Sequence, residues 1–306
     1  MQRLGAQARH RHLSLRAPCV ATLLCLIAAQ VVAATAGAFS ITDDTGQPVA
    51  LTRPAARIVA LAPGATALLF AAGAGDRIVA TIEYADEPDA ARRLPRIGDV
   101  QAIDLERLVA LRPDVVVVTE GITSPLVIER VRGLHLSVYA TRYSRLDDIA
   151  PSVARLGRLA DTADVAEAAA ARLAGTLAAL RRQYAGRGPL EVLYQVWNRP
   201  IYSIGGPHIV TDALATCGAH NAFADQRVAA PALGIEAVIA RNPDVIVVSA
   251  PRAVASAWVE EWRKFPRLAA TANDRLYVFD DPRLDRMGPA AIEATANLCR
   301  ILDAAR

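Results

Sequence analysis

The sequence predicts an α/β protein in which two Rossmann-like lobes are joined by a single long α-helix, leaving a ligand cleft between them. Three observations predict it. Apolar runs of strand length alternate with helical stretches in both halves of the 306-residue chain, the pattern of parallel, doubly wound sheets. Between the halves, residues 163–184 read ADVAEAAAARLAGTLAALRRQY, dense in the best helix formers. Finally, LERLVALRPDVVVVT at 105–119 returns as IEAVIARNPDVIVVS at 235–249. Glu106 and Glu236, Pro113 and Pro243, and Asp114 and Asp244 all pair at one offset of 130 residues.

The elements follow in order. Arg3, Arg9, Arg11 and Arg16 precede an apolar run and then VVAATAGA. This is the charged, apolar and small-residue order of an export signal over residues 1–38, with Ala36 or Ala38 as its last residue. Phe39 to Leu51 alternates around DDTGQP, a leading hairpin. RIVALAP is a strand ending at Pro63, Ala65 to Ala72 a helix stopped by Gly73 and Gly75, and DRIVATI a second strand. Leu105 to Leu111 is a short helix, ended because the residue before Pro113 is pushed out of the helical region. Val115 to Val118 is wholly apolar, as a strand covered on both faces should be. Val127 to Arg132 is a helix and LSVYA a strand, closing an N-terminal lobe over 39–145.

Residues 146–186 form a helical linker whose backbone helix spans Thr162 to Tyr184, with Leu173, Leu177, Leu180 and Tyr184 on one stripe. The C-terminal lobe, 187–306, restarts with the strand LEVLYQV. A helix from Ile209 to Thr216, the repeated unit, the strand RLYVFD and a closing helix from Ala290 to Leu302 follow.

Composition excludes several functions. Removing four arginines with the signal leaves 30 basic and 31 acidic groups of the original 34 and 31, so no nucleic-acid or polyanion partner is indicated. Phosphate loops, nucleophile elbows and zinc-protease motifs are all missing from the sequence. No catalyst, catalytic cofactor or metal site is expected. Cys217 and Cys299 are the cysteines of the mature chain, either a disulfide in an exported protein or two buried thiols.

In open parallel sheets, ligands bind beyond the carboxyl ends of the strands. Those edges hold Pro63 to Thr66, Tyr84, Asp99 to Gln101, Glu120 and Tyr143 in the first lobe. In the second they hold Trp197 to Tyr202, Ala229 to Pro231, Arg252 and Pro282 to Gly288. Two edges facing across a helix make a binding protein.

RIVALAPGATALLFAAGAG, Tyr84 with Pro88, DLERLVALRPDVVVV, Cys217-Gly218 with Asn221, and Asp225-Gln-Arg-Val stand in a characteristic order. In these residues the chain resembles the helical-backbone class (class III) of periplasmic substrate-binding proteins of ABC importers, and within it the cobalamin-binding branch. The resemblance covers residues 56–304. It implies a monomer that captures cobalamin in the periplasm and delivers it to an inner-membrane permease dimer, docking through Glu106 and Glu236. It also implies that Cys217 and Cys299 pair. Strand edges and resemblance together give the ligand set Pro63, Tyr84, Val100, Trp197, Tyr202, Ala230 and Arg286, of which Arg286 matches a ligand-facing arginine of the branch. Val100, Thr119 and Ala230 stand where the branch usually places aromatics.

Haem and ferric siderophores are the rival ligands. Tyr84, Tyr143 or His208 could give haem an axial bond, and Arg142, Arg199, Arg252, Arg283 and Arg286 could meet an anionic siderophore. Without the resemblance, Glu106 and Glu236 read simply as acids welcomed at helix starts. Trp258 and Trp262 read as structural.

Overall fold

A computed structural model describes residues 39–306. The export signal read over 1–38, with Cys19 and Cys25, lies outside the described residues.

The leading hairpin pairs β1 (Phe39–Thr42) with β2 (Pro48–Leu51). Its turn is held by Asp43, whose Oδ1 accepts from the backbone N–H groups of Thr45 and Gln47, both at 2.9 Å. Asp44 then ties the hairpin to the lobe, accepting from Tyr139 Oη at 2.9 Å, Ser152 Oγ at 2.6 Å and Arg155 Nε at 2.7 Å.

The first sheet contains β3 (Ile58–Ala60), β4 (Ile78–Ala80), β5 (Val115–Thr119) and β6 (Val138–Thr141), in the order β4-β3-β5-β6 and parallel throughout. Its helices are α1 (Pro63–Ala71), α2 (Leu105–Ala110) and α3 (Pro125–Gly133). Prolines begin α1 and α3, where a missing N–H costs nothing. Asp104 caps α2, accepting from Arg107 N at 2.9 Å.

The second sheet is built from β7 (Glu191–Trp197), β8 (Ile201–Ser203), β9 (His220–Asn221), β10 (Ala232–Leu233), β11 (Val245–Ser249) and β12 (Leu276–Phe279). β9, β7, β11 and β12 run parallel and mirror the first sheet, whereas β8 and β10 add two antiparallel strands. These two antiparallel strands were not read from the sequence. β8 and β10 have three and two residues, too few for a periodic signal. Between the lobes in sequence come α4 (Ile149–Leu159) and α5 (Ala163–Tyr184), and five helices complete the second half: α6 (Ile209–Thr216), α7 (Ile235–Arg241), α8 (Arg252–Trp262), α9 (Ala269–Ala272) and α10 (Ala291–Ala304).

The linker holds α4 (Ile149–Leu159) and the unbroken 22-residue α5 (Ala163–Tyr184), about 33 Å long at the α-helical rise. The sequence reading has α5 alone. Pro151 hides α4, although in the first turn a proline is tolerated. The two helices pack so closely that a Cβ on Gly157 would lie 2.0 Å from the Cβ of Ala166.

The duplicated Pro-Asp step has one structural role in both lobes. Asp114 Oδ2 accepts from the N–H groups of Ala56 and Arg57, both at 2.8 Å, and Asp244 Oδ2 accepts from Glu191 N at 2.8 Å. Each carboxylate pins the start of the neighbouring strand. Beyond it the repeat divides by parity: Val115, Val117, Val245 and Val247 enter one core that spans both lobes, α5 and α10. Val116 and Val118 enter an outer cluster on the first lobe, Ile246 and Val248 one on the second.

Cys217, at the end of α6, is bonded to Cys299 on α10 across 82 residues of sequence. No helix of the described residues is long and apolar enough to cross a membrane.

Candidate functional site

The carboxyl ends of the two sheets carry most of the expected residues, in two groups. Pro63 opens α1 beside Gly64, and with Tyr84 and Arg286 it lines a narrow crevice bounded by Asp86, Glu87 and Gly288. Its free volume is only about 10 Å³, because the lobes touch here. A Cβ on Gly64 would lie 2.4 Å from Met287 O and 2.3 Å from Tyr143 Oη, so backbone meets backbone. Tyr84 is 71% exposed and holds φ at +64°, an uncommon conformation for an aromatic residue.

The second group lies on the β7–β8 hairpin, where Trp197 and Tyr202 are direct cross-strand partners. Trp197 is 56% exposed and meets the buried Trp258 edge-on, with ring centroids 5.9 Å apart. Trp262 Nε1 donates to Gln195 Oε1 at 2.7 Å, and Gln195 Nε2 donates to Trp197 O at 3.1 Å. Trp258 and Trp262 are therefore supports, as read from sequence, and they hold Trp197 from beneath.

Val100 is half-buried against the first lobe's outer cluster. Ala230 is exposed in the loop before β10, whose backbone bonds to Gly205 and Ser203. Val228, 63% exposed in the same loop, is an apolar surface that the sequence reading missed. Asp285 is a second omission, a carboxylate on the 282–288 stretch beside Arg286.

Thr119, which stands where the branch usually places an aromatic, and two of the three axial candidates for haem turn inward. Thr119 is buried and shares a 2.8 Å hydrogen bond with Thr141 Oγ1. Its parity with Val115 and Val117 already points it to the inner core. Tyr143 is buried as well, and burial pushes its phenol up to about 12. His208 caps α6, its Nδ1 accepting from Val210 N at 3.2 Å, and burial pushes it down to about 4. Of the three possible axial groups for haem, only Tyr84 stays open to the cleft.

The arginines divide in the same way. Arg142 pairs with Glu120, Arg199 with Glu261 at 2.6 Å, and Arg283 with Asp281 at 2.7 Å. Among the described residues, Arg252 and Arg286 have no acidic partner. Nor do those residues hold any cluster of three or more His, Cys, Asp or Glu suited to a metal.

Glu106 and Glu236 occupy the first turns of α2 and α7, exposed and without a cationic partner among the described residues. One turn later the repeat again exposes matched apolar groups, Val109 at 44% and Ile239 at 46%.

Comparison with known proteins agrees with this geometry. A vitamin B12-binding protein of Vibrio cholerae serotype O1 is 33% identical over 254 residues, covering 83% of this chain and 91% of its own. One from Vibrio parahaemolyticus is 28% identical over 80% of this chain and 89% of its own. The crystal structure of the periplasmic vitamin B12 binding protein of Vibrio cholerae superposes with a TM-score of 0.77 at 33% identity, covering 82% of this chain and 98% of that one. The periplasmic haem-binding protein of Roseiflexus sp. RS-1 superposes at 0.70 with 26% identity, covering 82% and 99%. The periplasmic binding protein family model matches residues 58–282, and the chain belongs to that family.

Proposed function

We propose that this chain captures cobalamin, or a related corrinoid, in the periplasm and delivers it to an ABC permease of the inner membrane. The observation that carries the reading is one exposed aromatic ring per lobe, Tyr84 and Trp197, on edges where most arginines are already neutralised. A large ring with apolar faces and neutral amides suits such a surface better than a polyanion does. The working ligand set is Pro63, Tyr84, Val100, Trp197, Tyr202, Ala230 and Arg286. The division into lobes at 39–145 and 187–306 around a 146–186 linker, the export signal, the monomeric state and a carrier rather than catalytic role belong to the same reading.

Cyanocobalamin added to the purified mature protein should quench tryptophan fluorescence at submicromolar concentration, and Trp197→Ala should remove most of the quench. A saturable response to haemin with none to cyanocobalamin would establish the second reading, which open access to the Tyr84 phenol favours.

Glu106 and Glu236 would dock the two lobes on a permease dimer, whose two-fold character their repeat matches. Reversing both charges with Glu106→Lys and Glu236→Lys should abolish corrinoid uptake in cells while leaving affinity for cyanocobalamin unchanged. Uptake at the wild-type rate would return both residues to a helix-start role.

A further inference from the structure

Tyr84 stands on a four-residue turn, Ile82 to Ala85, that opens the long connection from β4 to α2. It is third in that turn, with φ at +64°, a place usually given to glycine or asparagine because a side chain resists the left-handed region. The turn holds itself weakly: its closing hydrogen bond, from Ala85 N to Ile82 O, is 3.4 Å long. The support comes from outside it.

Arg96 supplies that support. Its Nη1 donates to Ile82 O at 2.7 Å and to Ala85 O at 3.0 Å, the first and last residues of the turn. Its Nη2 donates to Asp86 Oδ1 at 3.0 Å and to Ala91 O at 3.3 Å. Each terminal nitrogen of a guanidinium carries two N–H bonds, so all four meet acceptors on the segment 82–91 around Tyr84. The backbone beneath Arg96 is anchored in turn. Thr81 N donates to Pro95 O at 2.9 Å, Ile97 N to Thr81 O at 3.0 Å and Glu83 N to Gly98 O at 2.8 Å. The Arg96 side chain is 19% exposed, and it does not line the crevice formed by Tyr84, Asp86 and Glu87. A simple ion pair with Asp86 would leave the other donors idle, so it does not account for a fork shared among three carbonyls.

We infer that Arg96 is a positioning residue for the cleft: without touching the ligand, it staples together the two ends of the turn that presents the Tyr84 ring. Gln195 and Trp258 give Trp197 a comparable support in the other lobe. The inference rests on the reading of Tyr84 as a platform for a corrinoid. A ring held in place before the ligand arrives has less freedom to lose on binding, so loosening the staple weakens capture while the lobe stays folded. Lysine keeps the charge, but its single ammonium lacks the planar fork that bridges both ends.

The test compares the mature wild-type protein with Arg96→Met and Arg96→Lys, with Tyr84→Ala, and with the two double variants, circular dichroism checking the fold. Affinity for cyanocobalamin should fall by about tenfold in both Arg96 variants, the scale of one hydrogen bond to a charged group. In the Tyr84→Ala background the same substitutions should cost little more, because the ring they position is gone. An equal loss in both backgrounds would make Arg96 merely structural and overturn the inference, as would wild-type affinity in either folded variant. A second arm needs no ligand. Amide hydrogen exchange over residues 82–86 should accelerate in Arg96→Lys while the rest of the first lobe keeps its protection; unchanged exchange there overturns the inference by itself. If the wild type binds no corrinoid, the corrinoid reading fails separately, and the exchange arm still judges Arg96.

Discussion

His208 shows how a single side chain can be claimed by local structure. As a cleft histidine it would titrate freely and could ligate a metal. As the cap of α6 its Nδ1 must stay unprotonated to accept from Val210 N, and burial pushes it down to about 4. The unfolded chain takes up this proton near the ordinary value of about 6.5. Stability held above that value is therefore lost as pH falls toward 4, by at most roughly 3 kcal/mol. His208→Asn keeps an acceptor at the cap and removes the titration. The difference in melting temperature between pH 7 and pH 5 should be smaller in this variant; an equal difference would assign the acid sensitivity elsewhere. Residue-level expectations failed where side-chain direction decided the matter. Thr119 is legible by strand parity, but Tyr143 and His208 depend on which elements close over them. Tyr84 and Trp197 stand exposed where the sequence sets large aromatics at strand ends.

At the scale of elements, the second lobe depends on the link between α6 and α10. Cys217 and Cys299 close a loop of 82 residues, worth about 4–5 kcal/mol in the chain-entropy account. The double variant Cys217→Ser with Cys299→Ser should melt about 10 °C or more below the wild type, as followed by calorimetry. No drop would mean that the buried packing of α6 on α10 suffices. Long, strongly patterned elements were legible from sequence: α5 begins one residue from its expected start, and α6 spans the expected Ile209–Thr216. Elements whose existence depends on a neighbour were not. β8 forms because the turn at 198–200 folds it back on β7, and β10 because β8 is there to pair with.

The whole molecule resists closure. One apolar core runs through both lobes and α5, and the lobes also meet where Gly64 abuts the backbone of Arg286 and Met287. Bending α5 would break its backbone hydrogen bonds, unlike the loop hinges that permit wide domain closure. Small-angle scattering should therefore give the same radius of gyration before and after saturation with ligand; a clear contraction would point to a hinge elsewhere. The two-lobe plan was legible because the 130-residue repeat is written in apolar runs and turn residues. The shared core was not, since sequence periodicity shows which face is buried but not what covers it.

The Pro-Asp latches carry a consequence for how such a scaffold changes over time. Asp114 and Asp244 fasten strand register at the rim opposite the cleft, through backbone groups that any substituted side chain leaves in place. The other rim is relieved of that duty. Loops there can be rewritten, lengthened or stripped of aromatics while alignment is kept from behind, so a lineage could trade one cargo for another without refounding its architecture.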